Sequence, residues 1–332
     1  MNPGERVNLR SVGDMNAAIQ RNLWRIPADT SLVVGVPRSG LLAANLLALY
    51  LNLPITDVDG FLDGRLLAAG KRRLRMDDQR SPLQRGSRIL VVDDCVSQGT
   101  EMAKVRERLR PVSHQYDITY LAVYSFPEGV HRVDLAFDVV PRPAAFEWSL
   151  FHSAVLGRAC LDIDGVLCVD PTPDEDDDGE NYSEFLANAR PLMLPTTTVG
   201  TLVTSRLEHY RAATEAWLEE HDVAYNRLVM MDHSTADDRR RANRQAHFKA
   251  KVYRDTKALL FIESSPGLAH QIAQLAGKPV LAYGTGELAV PSLRDRVQVR
   301  VQRLGWHVRR VRRAPRKLAS RLRSRGLKNR AK

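Results

Sequence analysis

Residues 89–100, ILVVDDCVSQGT, decide how the first half of this 332-residue chain is read. Ile89, Leu90, Val91 and Val92 have the length and β-branched content of a buried strand. Two carboxylates, Asp93 and Asp94, follow at its carboxyl end. Cys95, Val96, Ser97, Gln98, Gly99 and Thr100 form a short loop, and residues 101–109 carry a helical pattern. A helix start presents unpaired backbone N–H groups that hold an anion, and carboxylates accept hydrogen bonds from sugar hydroxyls. The stretch therefore suits a phosphorylated sugar, with a generic strand end of an α/β sheet as the alternative.

Upstream, residues 31–36, SLVVGV, read as another buried strand. Arg38, Ser39 and Gly40 of the following PRSG loop lead into an apolar helix over 41–51. Arg38 offers charge to a phosphate, and Gly40 permits close backbone approach. Repeated strand–loop–helix units imply a mostly parallel sheet with its ligands at the carboxyl ends of the strands. Between 57 and 88 the chain turns polar and basic, with Lys71, Arg72 and Arg73 in GKRRLR. That segment reads either as a lid bringing cations over a polyphosphate or as a solvated loop. Further strands are expected at 119–124 and 134–140. The two prolines of PRPAAFEWSLFH, 141–152, suit a domain boundary, with Phe146 and Trp148 packed between domains or shaping an acceptor pocket.

Bulk properties narrow the class. No run reaches the 18 apolar residues of a membrane span, and MNPGERVNLR at the start has no apolar signal core, so a cytoplasmic protein is expected. Cys95, Cys160 and Cys168 lack metal spacing and read as small reduced thiols. The net charge of +10 is local. Residues 292–332 hold sixteen Lys or Arg and the single acid Asp295, which leaves 33 basic and 38 acidic residues elsewhere, a balance of −5. In that tail Val297, Val301, Leu304, Val308 and Val311 recur at spacings of four and three beside Trp306, the pattern of a basic amphipathic helix. An anionic membrane surface is its expected partner, with nucleic acid as the rival and a disordered basic tail as the plain alternative.

The two loops together resemble those of the type I phosphoribosyltransferases, over roughly residues 15–145. The resemblance implies that Asp93 and Asp94 hold the ribose hydroxyls of phosphoribosyl pyrophosphate (PRPP). It also implies that Cys95, Val96, Ser97, Gln98, Gly99 and Thr100 surround its 5-phosphate. Arg38, Ser39 and Gly40 would face the pyrophosphate with Mg²⁺, and Lys71, Arg72 or Arg73 would come from the lid. Gln98 and Glu101 depart from the family, which usually has Thr and a small hydroxyl residue there.

A second acidic strand end, ACLDIDGVLCV, occupies 159–169. Asp162 and Asp164, two apart on an extended segment, lie on one face. Together with the motifs C-terminal to it, this strand end resembles the haloacid dehalogenase (HAD) phosphatases over about 157–285. Thr204 and Ser205 follow the apolar run 199–203, Lys249 stands in HFKAKVY with Lys251 as runner-up, and Glu263 ends the apolar run 258–262. The resemblance implies that Asp162 attacks phosphorus and that Asp164 serves as acid and then base. Thr204, Ser205 and Lys249 would bind the phosphate, and Asp162, Asp164 and Glu263 would hold Mg²⁺. The acidic insert, 170–188, reads as a solvated loop, and residues 239–244 as a basic patch on a helix.

The expected architecture is α/β, with two doubly wound parallel-sheet domains at 1–150 and 151–290 and a basic helical tail at 291–332. The two chemistries in series would deliver an unphosphorylated ribofuranosyl group to an acceptor. A glycan of cell-surface polysaccharide synthesis, handled on the inner face of the membrane, is the leading expectation for that acceptor. A nucleobase, or a first domain that only senses PRPP and regulates the phosphatase, are the alternatives.

Overall fold

The computed structural model describes residues 7–67, 83–177, 179–232 and 244–292. The chain divides between Val155 and Leu156 into two compact units. The tail from residue 293, the lid candidates Lys71, Arg72 and Arg73, and residues 239–243 of the basic patch lie outside the described residues.

Unit 1 opens with β1 (Asn8–Arg10) and α1 (Val12–Asn22). A capping box starts α1: the Asp14 N–H donates to Ser11 Oγ at 3.0 Å, and the Ser11 N–H donates to Asp14 Oδ2 at 2.9 Å. Then come β2 (Thr30–Gly35), α2 (Ser39–Leu51), β3 (Ile55–Asp57), α3 (Val58–Leu62), β4 (Arg88–Val96), α4 (Thr100–Leu109), β5 (Asp117–Ser125), β6 (Leu135–Val139) and β7 (Ala144–Phe146). Five strands make a parallel sheet in the order β3-β2-β4-β5-β6, while β7 pairs in parallel with β1 in a separate two-stranded sheet. Counted along the chain, the large sheet runs 2-1-3-4-5, and its order reverses between β2 and β4, where open α/β sheets bind ligands.

Period-two alternation in β4 fixes the layers. Leu90 and Val92 join a core with Met15, Ile19, Ala44 and Leu47 from α1 and α2. Ile89 and Val91 face the other way, toward Val58, Phe61, Met102 and Leu109 from α3 and α4. The strand is longer than its four apolar residues suggest. Asp93 pairs with Ala122, Cys95 with Tyr124 and Val96 with Ser125, so both acids lie within the ladder rather than after it. Val96 is 2 % exposed, so only its backbone is available to the loop.

Unit 2 contains β8 (Ala159–Leu161), α5 (Glu180–Asn188), β9 (Thr201–Leu207), α6 (Arg211–Glu220), β10 (Leu228–Met231), α7 (Arg244–Asp255), β11 (Leu260–Glu263), α8 (Pro266–Ala276), β12 (Val280–Ala282) and β13 (Glu287–Ala289). The sheet order is β10-β9-β8-β11-β12-β13, parallel except for β13, and counted within the unit it runs 3-2-1-4-5-6. Again the order reverses at one place, between β8 and β11. Cys160, Val203 and Phe261 pack with Ala246, Ala250 and Tyr253 of α7 and Ile272 of α8. The acidic insert is not all loop: α5 buries Tyr182, Phe185 and Leu186, and the Trp217 indole of α6 donates to Ala189 O at 2.8 Å. Burial of three large apolar groups outweighs the charge of the run before it. No described helix is long and apolar enough to cross a membrane.

Candidate active sites

In unit 1 the switch point brings the PRSG loop beside the acidic pair. The Val36 N–H donates to Val92 O at 2.9 Å, which ties the end of β2 to β4. Gly40, in the first turn of α2, lies against the same strand. A Cβ there would stand 2.8 Å from Val92 O and 3.0 Å from Asp93 Oδ1, so only glycine lets the helix begin so close to the acids. The Pro37–Arg38 peptide bond is cis, and the Arg38 side chain is exposed at the loop.

Asp94 is gripped from two sides. Ser39 Oγ donates to its Oδ1 at 2.7 Å, and the Trp148 indole Nε1 donates to its Oδ2 at 2.7 Å. Asp93 accepts the Asp94 N–H at 3.0 Å. Burial, then the charge and side-chain hydrogen bond of Asp94, push the Asp93 carboxyl up to about 8. Burial, joined by both acids, also pushes the Cys95 thiol well up, which leaves it a protonated packing group rather than a nucleophile.

The loop turns through Gly99, whose φ of 80° lies in the left-handed region. Its carbonyl accepts from the Ala103 N–H at 2.9 Å, opening α4 at Thr100. Ser97 is half-buried, and Gln98 and Thr100 are exposed. Glu101 is exposed and pairs with Lys104 at 2.7 Å along the helix, so its carboxylate has a partner away from the loop. Arg142 Nη2 donates to Ser97 Oγ at 2.7 Å, its Nε donates to Glu128 Oε1 at 2.8 Å, and its guanidinium lies 3.8 Å from the Phe126 ring centroid.

Phe146 and Trp148 pack on a strand of unit 1. Their rings lie 5.6 and 6.3 Å from Tyr124, within unit 1, and 5.1 Å from each other. The β1–β7 ladder delivers them there, a pairing between segments more than 130 residues apart that local pattern does not reveal. Sequence reading offers Trp148 as a wall of an acceptor pocket but not its bond to Asp94, and it misses the Arg142 bond to Ser97.

In unit 2 the strand ends converge in the same manner. Asp162, just past β8, is buried and ion-paired with Lys249 Nζ of α7, which also binds Glu263 Oε2 at 2.8 Å. Burial opposes the lysine charge, but Asp162 and Glu263 outweigh it and hold the ammonium above its ordinary range. Lys249, not Lys251, therefore occupies the site. Burial pushes the Asp162 carboxyl well up, Lys249 pulls it back, and the charges of Glu263 and Asp164 act with burial.

Asp164 does not join that trio. Arg206, whose side chain is fully buried, grips it with Nη2 at 2.6 Å and Nε at 3.1 and 3.2 Å. Thr204 Oγ1 accepts the Arg206 N–H at 3.1 Å, and Ser205 Oγ is buried without a hydrogen-bond partner among the described residues. Asp170 closes on Gly165 beside Ser264, and burial, followed by Asp164 and Glu263, raises its carboxyl. Arg206 and Asp170 were not anticipated; only the TSR triplet and the aspartate eight residues after Asp162 hint at them.

The charges around this crevice do not balance. Among the described residues Asp162, Asp164, Asp170 and Glu263 face Lys249 and Arg206, four carboxyl groups to two cations. Among the described residues no three His, Cys, Asp or Glu side chains converge as a ready-made metal cluster. Two carboxylates with a substrate phosphate are a usual Mg²⁺ environment, so the hard oxygens of Asp162 and Glu263 and the surplus of carboxyl groups fit that ion.

Residues 9–154 match the family described as the phosphoribosyl transferase domain. No curated protein matches the chain. Among solved structures, a purine phosphoribosyltransferase from Pyrococcus horikoshii Ot3 is 18% identical, with 42% of this chain and 93% of that one covered and a TM-score of 0.29. A Helicobacter pylori xanthine-guanine-hypoxanthine phosphoribosyltransferase is 15% identical over 44% and 94%, with a TM-score of 0.33. An orotate phosphoribosyltransferase from Aeropyrum pernix is 23% identical over 41% and 71%, with a TM-score of 0.25. The family match spans the PRSG loop, both acids and the loop that opens α4: residues 9–154 are a type I phosphoribosyltransferase domain.

Proposed function

We propose that unit 1 transfers the 5-phosphoribosyl group of PRPP to a glycan acceptor and that unit 2 then removes the 5-phosphate. The observation that carries this reading is the joining, in one chain, of a phosphoribosyltransferase domain to a buried Asp162–Lys249–Glu263 cluster at the carboxyl ends of a second parallel sheet.

In unit 1, pyrophosphate leaves the anomeric carbon and positive charge develops on the ribose ring. Asp93 and Asp94 sit where carboxylates stabilise that charge, with Asp94 fixed in advance by Ser39 and Trp148. Arg38 and the start of α2 serve the leaving group, and Ser97, Gln98, Gly99 and Thr100 at the start of α4 serve the 5-phosphate.

In unit 2, an Asp162 oxygen attacks phosphorus, and the electron pair of the breaking P–O bond goes to the ribose oxygen, which Asp164 protonates. Asp164 then takes a proton from the water that attacks the aspartyl-phosphate, releasing phosphate and restoring Asp162. Lys249 and Thr204 hold the phosphoryl oxygens. Bound by Asp162 and Glu263, Mg²⁺ would neutralise phosphate charge during transfer.

A glycan is preferred to a nucleobase because making a nucleotide and then stripping its phosphate gains little. The basic tail fits a glycan assembled at the cytoplasmic membrane face. The test is release of pyrophosphate and phosphate from PRPP with separate panels of sugars and bases. Pyrophosphate and phosphate with sugars support the proposal; pyrophosphate with bases alone, or with neither panel, overturns it in favour of salvage or PRPP sensing.

A further inference from the structure

The phosphate loop of unit 1 faces a charge problem. Asp93, Asp94 and Glu128 lie near its start, Glu101 follows its end, and residues 95–100 contain no cation. Lys104 is committed to Glu101, and Arg106 to Asp134 at 3.3 Å. A phosphomonoester dianion placed at the start of α4 would meet these carboxylates with only backbone N–H groups and the neutral Ser97, Gln98 and Thr100 side chains of the loop to hold it.

Two arginines from the segment after β5 answer this. Arg142 already reaches into the loop, donating to Ser97 Oγ at 2.7 Å. Because that oxygen accepts from the guanidinium, its own O–H is left to donate outward. The Phe126 ring, 3.8 Å away, supports the guanidinium face, and Glu128 fixes Nε. Nη2 also lies 2.8 Å from Glu128 Oε1, so the two N–H groups of Nη1 remain for a ligand. The backbone beneath is tied down: the Phe126 N–H donates to Val96 O at 3.0 Å, and Ser125 Oγ to the same oxygen at 3.3 Å. Arg132 lies across the loop at its left-handed turn, where a Cβ on Gly99 would come within 2.5 Å of Arg132 Cγ. Its guanidinium has no ion pair among the described residues.

We propose that Arg142 and Arg132 form a cationic wall on the 97–100 loop that binds the phosphomonoester of the ribosyl substrate. The assignment rests on the PRPP reading of unit 1 and adds the residues that let this particular loop hold a dianion. It also accounts for a loop with Gln98 and Glu101 in place of hydroxyl residues: the charge comes from the next strand connection instead.

The test uses the full chain and PRPP-dependent pyrophosphate release, which reports unit 1 alone, with ribose 5-phosphate and pyrophosphate as separate inhibitors. Arg142→Gln should weaken ribose 5-phosphate inhibition by about 10- to 100-fold, the loss of a charge-assisted phosphate contact, and leave pyrophosphate inhibition within about 2-fold. Arg142→Lys should recover part of the loss, since it keeps the charge without the fork. Arg132→Gln should weaken ribose 5-phosphate by about 3- to 10-fold, as an exposed contact without the hydrogen bonds that fix Arg142. Unchanged ribose 5-phosphate inhibition in both glutamine variants overturns the assignment. Loss of both inhibitors together also does, because it marks a general disturbance of the site. If the wild-type chain neither releases pyrophosphate nor is bound by ribose 5-phosphate, the PRPP reading itself fails and the assignment falls with it.

Discussion

Replacing Lys249 with methionine removes a buried cation from between two buried carboxylates while keeping a long, flexible apolar side chain. The side chains of Lys249, Asp162 and Glu263 are 3, 6 and 1% exposed, so solvent does little to screen what is left behind. Breaking a buried pair by removing one partner costs about 3–5 kcal/mol, because the remaining charge is uncompensated. At about 2–4 °C per kcal/mol for a unit of this size, the melting transition of unit 2 should fall by about 6–20 °C. The loss should depend on pH in a definite direction. Asp162 has a folded value above its unfolded one, so its protonated form favours the folded state; that contribution is full below the unfolded value and is lost as pH rises through the folded one. Lys249→Met should therefore be worst near neutral pH and regain stability on acidification toward pH 5. Adding Asp162→Asn should recover part of the loss. Differential scanning calorimetry of the three proteins at several pH values reads all of this. A Lys249→Met variant that melts with the wild type at neutral pH would refute the buried triad.

Unit 1 and the tail carry further consequences. Trp148→Phe keeps the ring packing on Tyr124 but removes the donor to Asp94, and should raise the PRPP KM about 10-fold, as expected for one hydrogen bond to a charged group. Asp93, held up to about 8 by burial and by Asp94, favours the folded state below its unfolded value, and that contribution disappears as pH rises through about 8. Urea unfolding should show wild-type stability falling between pH 7 and 9, and Asp93→Asn should flatten that slope. Deleting residues 293–332 should abolish sedimentation with anionic vesicles and leave soluble activity intact; unchanged sedimentation would remove the membrane role.

Much of this site was legible because its parts lie at strand ends, where sequence is local. VGVPRSG and VVDDCVSQGT each specify a strand, a turn and a helix start within a dozen residues, and the fold needs only to place them side by side. In unit 2 only FIES follows that pattern, ending β11 just before α8; LDID has no helix until α5, and VTSR lies inside β9, which runs on to Leu207. Grips on those residues were not legible. Trp148 reaches Asp94 across 54 positions, Arg142 reaches Ser97 across 45, and Arg206 reaches Asp164 across 42. Each contact is set by tertiary packing, and a lone Trp or Arg carries no sequence signal of its partner. The helix α5 was hidden for a different reason. Its buried Tyr182, Phe185 and Leu186 have helical spacing, but the acidic run before them dominated the composition. Glu101 departs from the family pattern as a carboxylate beside a phosphate loop, and its pairing with Lys104 on the helix surface is how the chain accommodates it.

Two chemistries acting in order on one acceptor are the central claim. Asp162→Asn removes the proposed nucleophile of unit 2 and leaves unit 1 untouched. Mass spectrometry of the products from PRPP, Mg²⁺ and a panel of glycan acceptors should then show a phosphorylated pentosyl adduct with the variant. The wild type should give the same adduct without its phosphate. A dephosphorylated adduct from Asp162→Asn, or no adduct from either protein, would contradict that claim.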